Sequence, residues 1–208
     1  MNAKEYQQAL SQALETLRKG GVILYPTDTV WGLGCDATDP QAVARIYEIK
    51  QRADSKALVL LASDLDMVCR YVYAVPEMAE QLVEINDRPM TIIYPSAVCA
   101  EAPARGETPR ADRHRLAWNV VAEDGSVGIR IPQSAFCHDL AYKLGRPVVS
   151  TSANISGDPS PRRFTDIPQA LVDAVDCVVD ARLEKDATGQ PSQILKIGLD
   201  GQVEIIRA

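Results

Sequence analysis

The sequence predicts an α/β fold of the mixed α+β kind, a twisted sheet of parallel and antiparallel strands flanked by helices. Two observations point there. Short apolar, β-prone runs alternate with amphipathic or well-capped helical stretches, and some neighbouring strands are joined by turns too short for a helical crossover. With 46% apolar and 24% charged residues, the 208-residue chain has the balance of a globular protein. No repeat, low-complexity tract or dividing linker interrupts it, so residues 1–208 read as a single domain.

The elements follow in order. In Met1 to Lys19, Tyr6, Leu10, Ala13, Leu14 and Leu17 recur at helical spacing, with Lys4, Glu5, Glu15 and Arg18 opposite, and Gly20-Gly21 is a stop signal. This patterning is not that of a signal peptide. Val22 to Tyr25 is an apolar strand ended by Pro26. Asp39-Pro40 caps and opens a helix through Ala42 to Lys50. Ala57 to Ala62 reads as a buried strand, Ser63-Asp64 as the cap of the next helix, and Pro76 as the start of another. Thr91 to Tyr94 is a strand.

Pro95 to Gly125 holds Arg105, Arg110, Arg113 and Arg115 with Pro103, Gly106 and Pro109. A stretch this long with no element of its own is expected to be a mobile insertion or lid. Beyond it come a strand at Val127 to Ile131, a helix at Ser134 to Leu144 stopped by Gly145, and a strand at Val148 to Ser150. Late strands follow at Cys177 to Val179 and Ile194 to Ile197, and Gly198 to Gly201 turns the chain into a hairpin strand at Val203 to Ile206.

Several function classes are disfavoured. The five cysteines (35, 69, 99, 137, 177) lie at least 30 residues apart, which fits neither a metal cage nor a redox motif. They read as buried reduced thiols. The longest apolar run, Ala57 to Ala62, is too short to cross a bilayer, so no membrane partner is expected and the cytoplasm is the expected compartment. A net charge of −6 with pI near 5.0 argues against a tight grip on nucleic acid, though it leaves room for a weak tRNA contact through a local basic face. Only His114 and His138 are present. His138 and Cys137 are adjacent in a helix and face apart, so they make no dyad. Gly32-Leu-Gly-Cys-Asp-Ala37 fits a dinucleotide fingerprint only loosely, because its glycines do not join a strand to a helix.

Four polar stretches sit at strand ends, where open α/β sheets place ligands: Pro26 to Gly34, Lys50 to Lys56, Ser126 to Pro132 and Ser150 to Gly157. Lys50, Arg52 and Lys56 put three cations just past a helix end. They either complement the helix dipole or converge on a phosphate chain. Ser150 to Gly157 offers hydroxyls and backbone N–H groups for phosphate oxygens or an α-carboxylate, against the alternative of an ordinary polar loop.

Together, in this order, the stretches P-T-D-T-x-x-G-L-G, K-x-R-x-x-x-K, x-G-x-R-x-P and S-x-S-A-N-x-S-G resemble the YrdC/TsaC family of threonylcarbamoyl-AMP synthases, in its short, single-domain form. The resemblance runs from about Gly20 to Arg207 and implies a YrdC-like sheet with a central ligand cleft. It implies an adenylyltransferase that makes threonylcarbamoyl-AMP from L-threonine, bicarbonate or CO2 and ATP for tRNA modification, handing its product to a threonylcarbamoyl transferase. By position it assigns Lys50 and Arg52 to catalysis. Arg52, Lys56, Ser126, Ser152, Asn154, Ser160 and Arg207 fall to ATP, and Thr29, Arg130 and Ser150 to L-threonine. Mg2+ would be held mainly by the ATP phosphates. Leu61 stands where the family often has His, Gln193 where it often has Thr, and Arg88-Pro-Met-Thr91 replaces P-G-P-x-T. Two rival readings are a non-catalytic RNA-binding or ribosome-assembly factor of the same fold, and a carbamoyl-adenylate-forming enzyme with another acceptor.

Overall fold

The computed structural model describes every residue except 52–57, 103–107 and 109–110, together with all side chains outside those ranges but that of Asp186. Its first helix, α1 (Ala3–Arg18), starts at a capping box. The Asn2 side chain accepts from Glu5 N at 2.9 Å, and Glu5 Oε2 accepts from Asn2 N at 2.7 Å. Its apolar stripe, Ala9, Leu10, Ala13, Leu14 and Leu17, is buried. Gly20 takes φ +77°, a left-handed turn that ends the helix.

Among the described residues, nine strands form one sheet: β1 (Ile23–Pro26), β2 (Trp31–Gly34), β3 (Val59–Leu61), β4 (Met90–Tyr94), β5 (Val127–Arg130), β6 (Val148–Ser152), β7 (Cys177–Val178), β8 (Gln193–Ile197) and β9 (Val203–Arg207). Their order across the sheet is β7-β1-β2-β6-β3-β5-β4-β8-β9. The pairs β1–β7, β3–β5 and β4–β8 are parallel and the other five are antiparallel. The remaining helices are α2 (Pro40–Lys50), α3 (Leu65–Tyr71), α4 (Glu77–Ile85), α5 (Ala135–Leu144) and α6 (Gln169–Ala174). As the sequence predicts, Asp39 caps α2 by accepting from Gln41 N and Ala42 N, and Asp64 caps α3 by accepting from Met67 N.

Three differences bear on the site. Trp31–Gly34, read as a polar loop, is a strand, because its glycines admit close neighbours. A Cβ on Gly34 would come within 2.8 Å of Val149 O and 2.7 Å of the Tyr25 ring, and one on Gly32 within 3.2 Å of Thr151 O. Strand β6 extends through Ser152, so Ser150 and Ser152 are strand residues on one side of the sheet with Thr151 on the other. The 95–125 stretch is not structureless throughout. Cys99 bridges Leu116, residues Trp118–Val120 form a 3-10 turn, and Leu116, Ala117 and Val120 are core residues. Arg105 and Arg110 lie outside the described residues.

The cysteines carry no disulfide, but only Cys35 and Cys137 are buried. Cys99 and Cys177 are half-buried and Cys69 is exposed, since its place on the short α3 faces outward. Cys137 turns inward toward Pro26 O, at 3.5 Å, while His138 is half-exposed, so the two indeed make no dyad. Among the described residues no helix is long and apolar enough to cross a membrane, and no group of three or more His, Cys, Asp or Glu could hold a metal ion.

Candidate active site

The β1–β2 hairpin turns through Thr27 to Val30, and hydroxyls fix the turn. Thr27 Oγ1 donates to Val30 O at 2.8 Å and accepts from Thr29 N at 3.0 Å. Its 2.8 Å contact with Thr29 Oγ1 is therefore a bond in which Thr29 donates, because Thr27 has no second hydroxyl hydrogen. The lone pairs of Thr29 Oγ1 stay open as acceptors. From the other side, Thr188 N donates to Asp28 O at 3.0 Å and Gly189 N to Thr29 O at 2.8 Å, pinning the turn to the segment before β8.

This turn forms one wall of a cleft of about 270 Å3. Thr27, Thr29, Val30, Gly32, Val59, Arg130, Ser150, Thr151, Ser152, Ser160, Pro191, Ser192, Ile194 and Arg207 line it. Hydroxyls and two guanidiniums dominate, and no carboxylate is among the described lining residues. Such a lining suits oxyanions.

The two guanidiniums are set differently. Arg130, at the end of β5, has a side chain only 3% exposed, and its Nη1 donates to Asp28 Oδ1 at 2.7 Å. Arg207, at the end of β9, donates from Nε to Ser192 O at 2.8 Å and from Nη2 to Ser192 Oγ at 3.4 Å. Ser192 Oγ in turn meets Thr91 Oγ1 at 2.8 Å. Partial burial, and then the positive charge of Arg130, hold the Arg207 pKa below its ordinary value. Two cations thus share a cleft with no carboxylate in its described lining, and Asp28 pairs with one of them from outside that lining.

The cleft gathers Thr29, Arg130, Ser150, Ser152, Ser160 and Arg207 from the residues the sequence singles out. Lys50, Asn154 and Ser126 sit outside its lining. Lys50 is buried, and its Nζ donates to Ser152 O and, at 2.8 Å, to Asn154 O, while its own carbonyl accepts from Ser156 N at 3.0 Å. It therefore braces the hydroxyl loop from below. Asn154 donates its amide to Ile155 O at 3.0 Å and Asp158 O at 2.7 Å, which folds the same loop. Ser126 bonds Asp124 Oδ1 through N (3.0 Å) and Oγ (2.5 Å). Arg52 and Lys56 lie outside the described residues. Leu61 is fully buried in β3, and Gln193 N pairs with Pro89 O at the start of β8.

Sequence reasoning passed over Asp28, Thr27 and Ser192. The first two lie inside the quoted P-T-D-T stretch, and Ser192 precedes the departure at Gln193, so their signal was position within a motif.

The family model named Sua5/YciO/YrdC, described as "telomere recombination", matches residues 15–208. The chain belongs to this family. It is similar to the threonylcarbamoyl-AMP synthase of Xanthomonas euvesicatoria pv. vesicatoria (strain 85-10), 36% identical over 188 residues, which are 89% of this chain and 91% of that protein. The crystal structure of P. abyssi Sua5 complexed with L-threonine superposes with a TM-score of 0.73 at 25% identity, over 92% of this chain and 51% of that one. This member thus spans about half the length of that Sua5. The E. coli YciO structure gives a TM-score of 0.73 at 26% identity, over 97% and 89% of the two chains. The Sua5/YciO/YrdC match agrees with the family read from the four motifs, and both structures share the mixed sheet described above.

Proposed function

We propose that this family member is a threonylcarbamoyl-AMP synthase acting in tRNA modification. The observation that carries the proposal is the cleft in which Arg130 and Arg207, with no carboxylate in the described lining, share one space with Thr29, Ser150 and Ser152. The synthase name of its Xanthomonas relative and the L-threonine in the P. abyssi Sua5 structure support the same assignment.

The chemistry needs no protein nucleophile. The amine of L-threonine adds to CO2, supplied as bicarbonate, to give a carbamate. A carbamate oxygen attacks the α-phosphorus of ATP, the bond to the β-phosphate bridge breaks, and pyrophosphate leaves with its electron pair. The work left to the protein is positioning and neutralising oxygen charge. Arg130 takes the threonine carboxylate on its free edge, a geometry for which guanidinium suits better than ammonium. The Thr29 hydroxyl accepts from the substrate amine, and Ser150 sits beside it. Ser152, Ser160 and Arg207 receive the nucleotide, with Arg52 and Lys56 assigned to its phosphates. Lys50 and Asn154 act on the nucleotide by holding the 152–156 loop in shape. Ser126, outside the cleft lining, keeps only a supporting place near β5.

The lining has guanidiniums and hydroxyls where a resident divalent cation would need carboxylates, so magnesium fits as a companion of the ATP phosphates, screening their charge, rather than as a metal held by the chain. A cytoplasmic setting, a downstream threonylcarbamoyl transferase and a weak tRNA contact complete the proposal, as does an ATP-responsive 95–125 segment. Pyrophosphate release that requires threonine, bicarbonate and ATP together tests it, with serine and other amino acids compared. Release indifferent to threonine or to bicarbonate overturns it.

A further inference from the structure

Asp28 belongs to the P-T-D-T stretch, yet the chemistry above gives it no task. The structure gives it an unusually determined place. Its side chain is 8% exposed, and Oδ1 accepts from Arg130 Nη1 at 2.7 Å. Oδ2 accepts from Gln133 N at 3.1 Å, three residues further along the segment that carries Arg130. The Asp28 carbonyl accepts from Thr188 N at 3.0 Å. One residue is therefore tied to the segment leaving β5 and to the segment before β8.

A guanidinium has five N–H donors in a planar fork. The bond to Asp28 engages Nη1, and Arg130 also lines the cleft, which leaves the rest of the fork for that space. A flexible arginine side chain would otherwise sample several rotamers, and each immobilised long side chain lowers binding through lost entropy. A carboxylate locked behind one amine of the fork removes that freedom before the ligand arrives. It also leaves the excess positive charge on the side shared with Arg207, whose pKa is held down first by partial burial and then by that charge.

We propose that Asp28 is a positioning residue, which sets the angle of the Arg130 fork and so selects a ligand carboxylate arriving from the cleft. The proposal rests on the assignment of L-threonine to this cleft. The rival is a plain counter-ion, which would neutralise Arg130 without steering it.

Steady-state kinetics of pyrophosphate release decide between them, with melting temperature measured alongside. Wild-type release that does not depend on threonine sinks the functional assignment itself and is seen before any variant is made. Given an active wild type, Asp28→Asn keeps the shape and removes the charge. It is expected to raise the KM for threonine tenfold or more, leave the KM for ATP within twofold, and lower the preference for threonine over threoninamide. Asp28→Glu keeps the charge, and so the counter-ion, but advances the carboxylate by one methylene. It is expected to shift the threonine KM threefold or more at unchanged melting temperature, and it carries the test if the amide variant does not fold. An unchanged threonine KM in the variant that folds overturns the proposal. So does a rise shared equally by threonine and ATP.

Discussion

Lys50 and Asn154 are joined directly, the buried ammonium at the end of α2 donating to the Asn154 carbonyl at 2.8 Å and also to Ser152 O. The backbone answers in the opposite sense, Ser156 N donating to Lys50 O at 3.0 Å. A helix end thus supports the loop on which the hydroxyls of the cleft depend. Lys50→Met leaves those carbonyls without their charged donor. Hydrogen bonds to charged groups contribute about 1.5–3 kcal/mol each, so a loss of about 2–3 kcal/mol is expected, after allowing for the relief of burying a charge. Urea denaturation measures the loss, and the KM for ATP should rise with it. Full stability in the methionine variant would show that the loop stands without its brace.

Arg52 behaves differently in this account. If it neutralises ATP phosphates, Arg52→Ala should abolish adenylate formation with a melting curve close to wild type. A stability loss of about 3–5 kcal/mol, the size expected when a buried ion pair is broken, would make it a structural residue instead.

Much of this architecture is legible in the chain, for physical reasons that differ by element. The first helix is declared by the stripe from Leu10 to Leu17 and the glycines after it, and α2 by Asp39-Pro40, because caps and 3.6-residue periodicity are local properties. Strand β2 was not legible. Gly32 and Gly34 have low strand propensity, and only the close approach of Thr151, Val149 and Tyr25 makes them necessary. The packing of Leu116 and Val120 was hidden in the same way, since a short apolar group among arginines and prolines shows its burial only through distant partners. At the site, Arg130 and the Ser150 and Ser152 hydroxyls were marked by motif. What could not be read was the bonding of Lys50, whose partners lie about a hundred residues away, and that of Asp28, whose arginine is equally remote.

A pH test is available at the far side of β5. Lys196 Nζ sits 2.8 Å from Asp124 Oδ2, and that bond, with those from Ser126, pulls the Asp124 carboxyl down to about 2. A carboxyl whose folded pKa lies below its free value stabilises the fold above the free value and loses that contribution as pH falls through the folded one. The melting-temperature difference between wild type and Asp124→Asn should therefore be constant near neutrality and shrink from about pH 4 to about pH 2. Both side chains are largely solvated, so the contribution is about 1 kcal/mol or less. A difference that grows in acid would reverse the assigned sign.

Glu184 ties the 3-10 segment Ala181–Asp186 to the sheet. One oxygen, Oε2, accepts from Trp31 Nε1 at 2.5 Å and from Phe164 N at 3.0 Å, and the two rings sit 5.0 Å apart. The Trp31 side chain is wholly buried, so Glu184→Ala strands its indole N–H without water. An unsatisfied buried donor costs about 1–3 kcal/mol, which sets the expected stability loss. Glu184→Gln keeps an acceptor oxygen and should recover most of it. Equal losses in the two variants would assign the effect to charge and not to the hydrogen bond.

The carboxylate of the amino acid offers the sharpest probe of the cleft. Threoninamide matches threonine in shape and keeps the amine and the side-chain hydroxyl, but it brings no negative charge to Arg130. Its amide nitrogen would also set N–H groups against N–H groups on the Arg130 fork, where the carboxylate sets oxygens. Charge-assisted bonds contribute about 1.5–3 kcal/mol each, so losing one lowers kcat/KM by roughly tenfold to a hundredfold. The loss should appear in the KM for the amino acid and leave the KM for ATP in place, because the carboxylate takes no part in the attack on phosphorus. Arg130→Lys should narrow the gap between the two substrates, since an ammonium keeps the charge but lacks the fork. Threonine and its amide turning over equally in the wild type would remove Arg130 from this role, and the hydroxyl wall formed by Thr29 and Ser150 would then have to select the substrate unaided.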